Sequence, residues 1–144
     1  MPTFPVAGAN RTGPRGLALW MPVALYAAVI FVSSSIERPP APPGGLPDYV
    51  VHALVYAGFA AVLLRALARG RWSGVTAGRA VAAAMAATAY GVTDEFHQSF
   101  VPGRFVSLGD LVADAGGAAA GVCAVLIAAR VSWIRRPGAS RSSP

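Results

Sequence analysis

The sequence predicts an all-α integral membrane protein, a bundle of four helices with both termini in the cytoplasm. Three observations lead to this prediction. Hydrophobic residues make up 55% of the 144 residues and charged residues only 12%, against about 25% charged in typical soluble domains. Four apolar segments follow one another with short polar connections. The twelve basic residues, all of them arginine, gather at alternate connections.

The first apolar segment, residues 16–36, contains no charged residue. It is long enough to cross a bilayer, for which about 20 apolar residues suffice. Residues 1–16 are rich in glycine and proline and predict a disordered basic tail. A cleavable signal peptide is the alternative, but the apolar run exceeds the usual h-region of about 7–15 residues. We therefore assign a transmembrane domain to residues 17–134.

Three further helices are predicted after a proline-rich linker. Residues 37–47 contain repeated prolines, which lack the N–H group that a helix needs, so this linker should be extended. The helices should cover about 48–68, 79–100 and 108–134, and a second disordered tail covers 135–144. Only the first segment is expected to meet the hydropathy criterion for a membrane span on its own, since the other three have 14 to 16 uncharged residues between polar ones. Together the four segments still predict a bundle.

The arginines predict the orientation. Ten lie in the tails, in the second connection and at the segment ends beside them, while the first and third connections hold one each, Arg38 and Arg104. Because basic loops stay in the cytoplasm, both termini should be inside and the first and third connections outside. The arginines form no single patch and accompany no recognition motif, so nucleic acid is not predicted as a partner.

A cluster of polar residues interrupts the last two segments. Four of the six acidic residues lie between positions 89 and 121, among alanine, valine and glycine. A charged side chain inside a membrane is costly and usually functional. Helical spacing groups these residues into three stripes near the outer ends of their helices. The stripes are Asp48, His52 and Tyr56; Tyr90, Asp94, His97 and Gln98; and Asp110, Asp114, Gly117 and Gly121.

Some of these residues have a simpler local explanation. Ser107 and Asp110 form an S-x-x-D pattern, which predicts a capping box at the start of the fourth helix. Asp48 would cap the second helix, and Arg104 would be a counter-ion for the nearby carboxylates. Cys123 is expected to be a small buried hydrophobic residue.

Two kinds of chemistry fit the cluster. Asp94 and Glu95 could act as an acid–base pair, because neighbouring carboxylates in a low-dielectric site repel and raise one pKa, with His52 as a proton acceptor. Arg104 could clamp a phosphate. Carboxylates with histidine could instead hold a divalent ion, but no metal or cofactor motif is present. We therefore predict no metal site and leave the cofactor open.

At these residues the sequence resembles the VanZ family of small bacterial membrane proteins. The resemblance rests on Y-G-x-x-D-E-x-x-Q-x-F-x-P-G-R at residues 90–104 and D-x-x-x-D-x-x-G-x-x-x-G at residues 110–121. Asp48-x3-His52-x3-Tyr56 and the F-x-S-S ending of the first segment add to it. Asp114 is a departure, since asparagine is also common there. The resemblance implies a multi-pass protein of the bacterial cytoplasmic membrane, in a family named after a factor in teicoplanin resistance.

The resulting prediction is an outward-facing pocket in the cell envelope that handles a lipid or a lipid-linked wall component. The catalytic candidates are Asp94, Glu95 and His52. The substrate-binding candidates are Arg104, Gln98, Tyr56, Asp48, Asp110 and Asp114. The alternatives are a non-catalytic membrane component, whose polar network is structural or binds a head group, and an ion-coupled transporter. Whether the protein is an enzyme stays open. Gly117 and Gly121 could also join copies into an oligomer.

Overall fold

Four α-helices and no strand make up residues 14–134, which are the residues that the structure, a computed structural model, describes. The helices are α1 (Pro14–Ser34), α2 (Asp48–Leu67), α3 (Ala77–Gln98) and α4 (Leu108–Ile134). Single 3-10 turns, Pro43–Gly45 and Trp72–Gly74, lie in the first two connections. The predicted all-α fold is confirmed for these residues. The tails predicted at 1–13 and 135–144 lie outside the described residues, whereas residues 14–16, also predicted in the tail, belong to α1.

The helix boundaries follow local signals. α2 and α4 lie where the sequence predicts them, while α3 starts and ends two residues earlier than expected. The Thr76 hydroxyl accepts a hydrogen bond from the Arg79 backbone N–H at 3.4 Å, so Thr76 is the N-cap and α3 begins directly after it. After α3 the chain turns at Gly103, which has a φ of 82°. This turn returns the chain to the polar end of the bundle.

Small residues let the helices pack closely. The most extensive contact joins α2 and α4, and the buried face of α4 carries Gly117, Ala118, Gly121 and Val122. Cys123 is exposed, so its predicted burial is wrong. It follows the buried Val122 and, about 100° further around the helix, leaves the face that contacts α2. α1 packs mainly on α2 and less extensively on α3.

The apolar character of the helices supports a membrane protein. α1, α2 and α4 are each long and apolar enough to cross a bilayer. The sequence expectation that only the first segment would qualify is therefore wrong, because α2 and α4 carry their few charges near their ends. α3 does not qualify, but its outer face exposes Val81, Met85 and Phe96. A crossing by α3 stays a prediction.

Candidate functional site

The three predicted stripes converge at one end of the bundle. Asp94, Glu95, Gln98 and Asp114 are 6%, 5%, 3% and 1% exposed, respectively. Such burial needs partners or a function, because an uncompensated buried charge costs several kcal/mol. The structure therefore brings most of the predicted site residues into one region, and their individual contacts show what each can do.

His52 and Asp114 join α2 to α4. His52 Nδ1 lies 3.0 Å from Asp114 Oδ1, and among the described side chains no other acid lies this close to a basic group. Room for Asp114 is made by Gly91 on α3. A Cβ atom at Gly91 would come within 2.8 Å of Asp114 Oδ2 and 3.3 Å of Tyr56 Cε1. Gly91 thus lets the acid and the tyrosine lie against the α3 backbone.

The glycines below Asp114 bring the two helices together. A Cβ atom at Gly117 would collide with the backbone carbonyl of Ala53, and one at Gly121 with that of Ala57. The close contact predicted for this G-x-x-x-G face is therefore made with α2 of the same chain. An oligomer through Gly117 and Gly121 would need the face that α2 already covers.

A second chain of hydrogen bonds links Arg104 to Asp94 through Gln98. Arg104 Nε and Nη2 donate to Gln98 Oε1 at 3.1 Å and 2.6 Å, and Gln98 Nε2 donates to Asp94 Oδ2 at 3.0 Å. Arg104 thus makes no ion pair with a carboxylate within the described residues. The predicted counter-ion role is not what the structure shows, because the amide separates the two charges.

Glu95 serves the start of α4. Its Oε2 accepts a hydrogen bond from the Ser107 backbone N–H at 2.9 Å, and Ser107 Oγ accepts one from the Asp110 N–H at 3.2 Å. Of the two bonds in the predicted capping box, the one from the Asp110 N–H to Ser107 is present, so Ser107 caps α4. The second bond, from the Ser107 N–H, goes to Glu95 of α3 and not to Asp110. Asp94 and Glu95 project about 100° apart on the helix, so Asp94 contacts Gln98 whereas Glu95 contacts Ser107.

The N-terminus of α2 also departs from its prediction. Pro47 is the N-cap residue and no side-chain cap bond is present, so Asp48 does not cap the helix and instead lies in its first turn. One carboxylate oxygen of Asp48, one of Asp110 and a ring nitrogen of His52 lie within 4.8 Å of one another. These three residues could hold a metal ion.

A cavity of about 840 Å³ opens beside these residues, between α1, the proline-rich linker, α2 and the end of α3. Ligand sites in proteins usually have about 300–1,000 Å³. Its polar lining includes Asp48, His52, Tyr56, Asp94, Gln98 and Arg104. Its apolar lining includes Val29, Ile30, Leu46, Val51 and Val55.

Two buried oxygens on residues that line this cavity have no hydrogen-bond partner within residues 14–134. They are the Tyr56 hydroxyl and Asp94 Oδ1, on side chains that are 1% and 6% exposed. Buried polar atoms without partners are rare in native proteins and often mark a missing water, ion or ligand. The residues of the cavity wall therefore include hydrogen-bonding groups that have no partner in the described part of the chain.

Residues 13–129 match the sequence model of the VanZ/LLP1 family, which is most of the chain. The chain belongs to the VanZ/LLP1 family. This confirms the resemblance drawn from the D-E-x-x-Q-x-F-x-P-G-R string. No curated protein and no solved structure is significantly similar to the chain.

This VanZ/LLP1 protein also uses Tyr26, which the sequence did not single out, and it gives Tyr90 and His97 of the predicted stripe contacts that the sequence did not predict. Tyr26 donates a hydrogen bond to the Val55 carbonyl at 3.0 Å, and Tyr90 donates one to the Ala27 carbonyl at 2.7 Å. These bonds attach α1 to α2 and α3 and so form one wall of the cavity. His97 packs its ring against Phe31, with centroids 4.4 Å apart. The F-x-S-S ending of the first segment was the one available signal for this wall.

Proposed function

We propose that this VanZ/LLP1 protein crosses the bacterial cytoplasmic membrane four times, with both termini in the cytoplasm. In this arrangement the polar end of the bundle faces outward. The cavity there binds the anionic head group of a lipid or of a lipid-linked wall component. The distribution of arginines and the apolar outer surface of the helices support this topology.

The observation that carries the proposal is the composition of the cavity wall. Val29 and Ile30 of α1 line one side with apolar surface, while Arg104 lines the polar side without a carboxylate partner. A guanidinium group matches phosphate oxygens in geometry and charge. In an amphiphile with a phosphate-bearing head group, the apolar chain would contact the Val29 and Ile30 side and the phosphate would contact Arg104.

Asp94 is the residue best placed to exchange a proton with such a head group. Its Oδ2 is held by Gln98, and its Oδ1 is free on a buried side chain that lines the cavity. A general acid or base must come within hydrogen-bond reach of the reacting group, which Asp94 and His52 can do from the lining. Glu95 contributes by holding the start of α4 in place. Under this proposal the acid–base pair of the sequence prediction becomes Asp94 with His52.

A non-catalytic role is the second candidate, and a specific observation favours it. The Glu95–Ser107 bond joins α3 to the start of α4, and the His52–Asp114 pair joins α2 to α4. These contacts fasten three helices around the cavity. The same cavity would then bind a head group without changing it, or the network would only hold the helices together.

Lipid and wall-precursor profiles of a deletion strain would separate these candidates. Complementation with the wild type and with Asp94→Asn tests chemistry, because the amide keeps the shape and removes the charge. A lipid pool restored by the wild type and not by Asp94→Asn supports an enzyme. A pool restored by both supports a binder, and an unchanged pool in the deletion strain contradicts the proposal. Teicoplanin susceptibility of the same strains tests the link to glycopeptide resistance.

Head-group binding can be measured directly on the purified protein in nanodiscs. Arg104→Gln should weaken binding of an anionic lipid about 10–100-fold, because hydrogen bonds to charged groups contribute about 1.5–3 kcal/mol. Arg71→Gln removes the same charge at the opposite end of the bundle and should leave binding unchanged. Equal weakening by both substitutions would show that overall charge, not the cavity, attracts the lipid.

A further inference from the structure

Three possible metal ligands meet beside the cavity, at the facing ends of two helices. Asp48 lies in the first turn of α2, His52 one turn later, and Asp110 in the first turn of α4. One oxygen of each carboxylate and one imidazole nitrogen lie within 4.8 Å of one another. The two carboxylates come from positions far apart in the chain, so their proximity is a product of the fold.

In the part of the chain that the structure describes, neither carboxylate has a hydrogen-bond or ion-pair partner of its own. Asp48 does not cap α2, because Pro47 occupies the N-cap position. Asp110 does not accept the capping-box bond from the Ser107 N–H, because Glu95 accepts it. No arginine pairs with either acid within the described residues. Two carboxylates this close repel each other, and a cation between them would offset that repulsion.

His52 has a buried carboxylate partner of the kind found behind metal-bound histidines. Its Nδ1 faces Asp114 Oδ1 at 3.0 Å, and Asp114 is 1% exposed. A carboxylate that accepts a hydrogen bond from one ring nitrogen keeps the proton on that nitrogen, so the other nitrogen has a free lone pair. Metal-bound histidines usually have such a partner. Asp114 is therefore a positioning residue, and a cation at His52 would take Nε2.

An independent observation also points to a missing ligand here. Asp48 and His52 line the same cavity as Asp94 and Tyr56, whose buried Oδ1 and hydroxyl have no partner within residues 14–134. Both side chains are more than nine-tenths buried. Buried polar atoms without partners often mark a missing water, ion or ligand, and these two lie on residues of the same cavity wall as Asp48 and His52.

From this arrangement we infer that Asp48, His52 and Asp110 bind one divalent transition-metal ion, Mn²⁺ or Zn²⁺. The mixed ligand set decides the class, because imidazole suits transition metals, whereas Mg²⁺ and Ca²⁺ prefer oxygen ligands alone. Three protein ligands leave positions for water or for an oxygen of a bound anion. A metal ion on Nε2 would occupy the lone pair that His52 needs to accept a proton, so this inference replaces His52 as the acid–base partner of Asp94. It does not depend on head-group binding at Arg104, so the metal site and the head-group site can each fail without the other.

Metal titration of the purified full-length protein in nanodiscs tests the inference. After removal of metal with a chelator, we expect one Mn²⁺ or Zn²⁺ per chain, with Mg²⁺ bound at least 10-fold more weakly. Asp48→Asn and Asp110→Asn should each lower the affinity at least 10-fold. Glu37→Gln removes an exposed acid from the linker and should bind as the wild type does.

Two further measurements separate ligands from folding effects. Electron spin-echo spectra of bound Mn²⁺ should show nitrogen coupling from imidazole in the wild type and none in His52→Gln. Asp114→Asn should lower the affinity about 10–100-fold, as removal of such outer partners does, with unchanged helix content by circular dichroism. Wild-type affinity in both Asp48→Asn and Asp110→Asn overturns the inference, as does an absence of stoichiometric binding by the wild type. Because Asp48 lies on the exposed first turn of α2, its variant is not expected to unfold the protein.

Discussion

Two adjacent glycines on α4 provide a matched test of the packing between α2 and α4. A Cβ atom at Gly117 would collide with the Ala53 carbonyl, whereas a Cβ atom at Gly116 meets nothing within 4 Å. Both positions lie inside the same helix. Replacing either glycine by alanine therefore brings a similar gain in helix propensity, up to about 1 kcal/mol. The difference between the two variants isolates the cost of the collision.

The magnitude follows from what the new methyl group would meet. Overpacking usually costs about 1–3 kcal/mol, and the neighbour here is helix backbone, which cannot turn away as a side chain can. We therefore expect the free energy of unfolding of Gly117→Ala to be lower than that of Gly116→Ala by about 1–3 kcal/mol. The free energy of unfolding can be measured for both by denaturation in mixed micelles, with the wild type alongside.

The same pair of variants also reports on the site. Gly117 lies one turn below Asp114, so separation of the helices should lengthen the contact between His52 and Asp114 and lower metal affinity in Gly117→Ala only. Equal stability of Gly116→Ala and Gly117→Ala would refute the close approach of α2 and α4 described above.

Two further predictions use matched positions. Tyr56→Phe should leave the free energy of unfolding unchanged, because the hydroxyl has no partner within the described residues, whereas Tyr90→Phe should lower it by about 0.5–1.5 kcal/mol through loss of the bond to Ala27. Thermal unfolding of the two variants checks this, and a larger loss for Tyr56→Phe would contradict it. For topology, a reporter inserted near Gly44 should read external and one fused after Pro144 cytoplasmic. The reverse result would place the cavity on the cytoplasmic side.

The helices could be predicted from the sequence because their signals are local. Apolar runs, and prolines between them, predicted the bounds of α2 and α4 correctly and those of α3 to within two residues. The shared stripes of Asp48 with His52, and of Asp110 with Asp114, also follow from helical spacing. Such spacing shows which residues lie on one face of a helix, but not which neighbouring helix that face meets.

The errors come from this missing information. Asp110 has a local pattern that predicts a capping box, yet Glu95 from α3 competes for the same backbone N–H and makes the bond. Arg104 was expected to pair with a carboxylate, but Gln98 lies between them. The cavity depends on where α1 and the linker pack, and no spacing within one segment could reveal it.

The attachment of α1 has a consequence for how this protein can change over evolution. Tyr26 and Tyr90 hold α1 by donating to the main-chain carbonyls of Val55 and Ala27. A main-chain carbonyl is present whatever the residue, so mutation at either acceptor position leaves the bond available. The two tyrosines cannot be exchanged so freely. One wall of the cavity can therefore acquire a new side-chain lining, and with it a different ligand preference, while the helix that carries it stays in place.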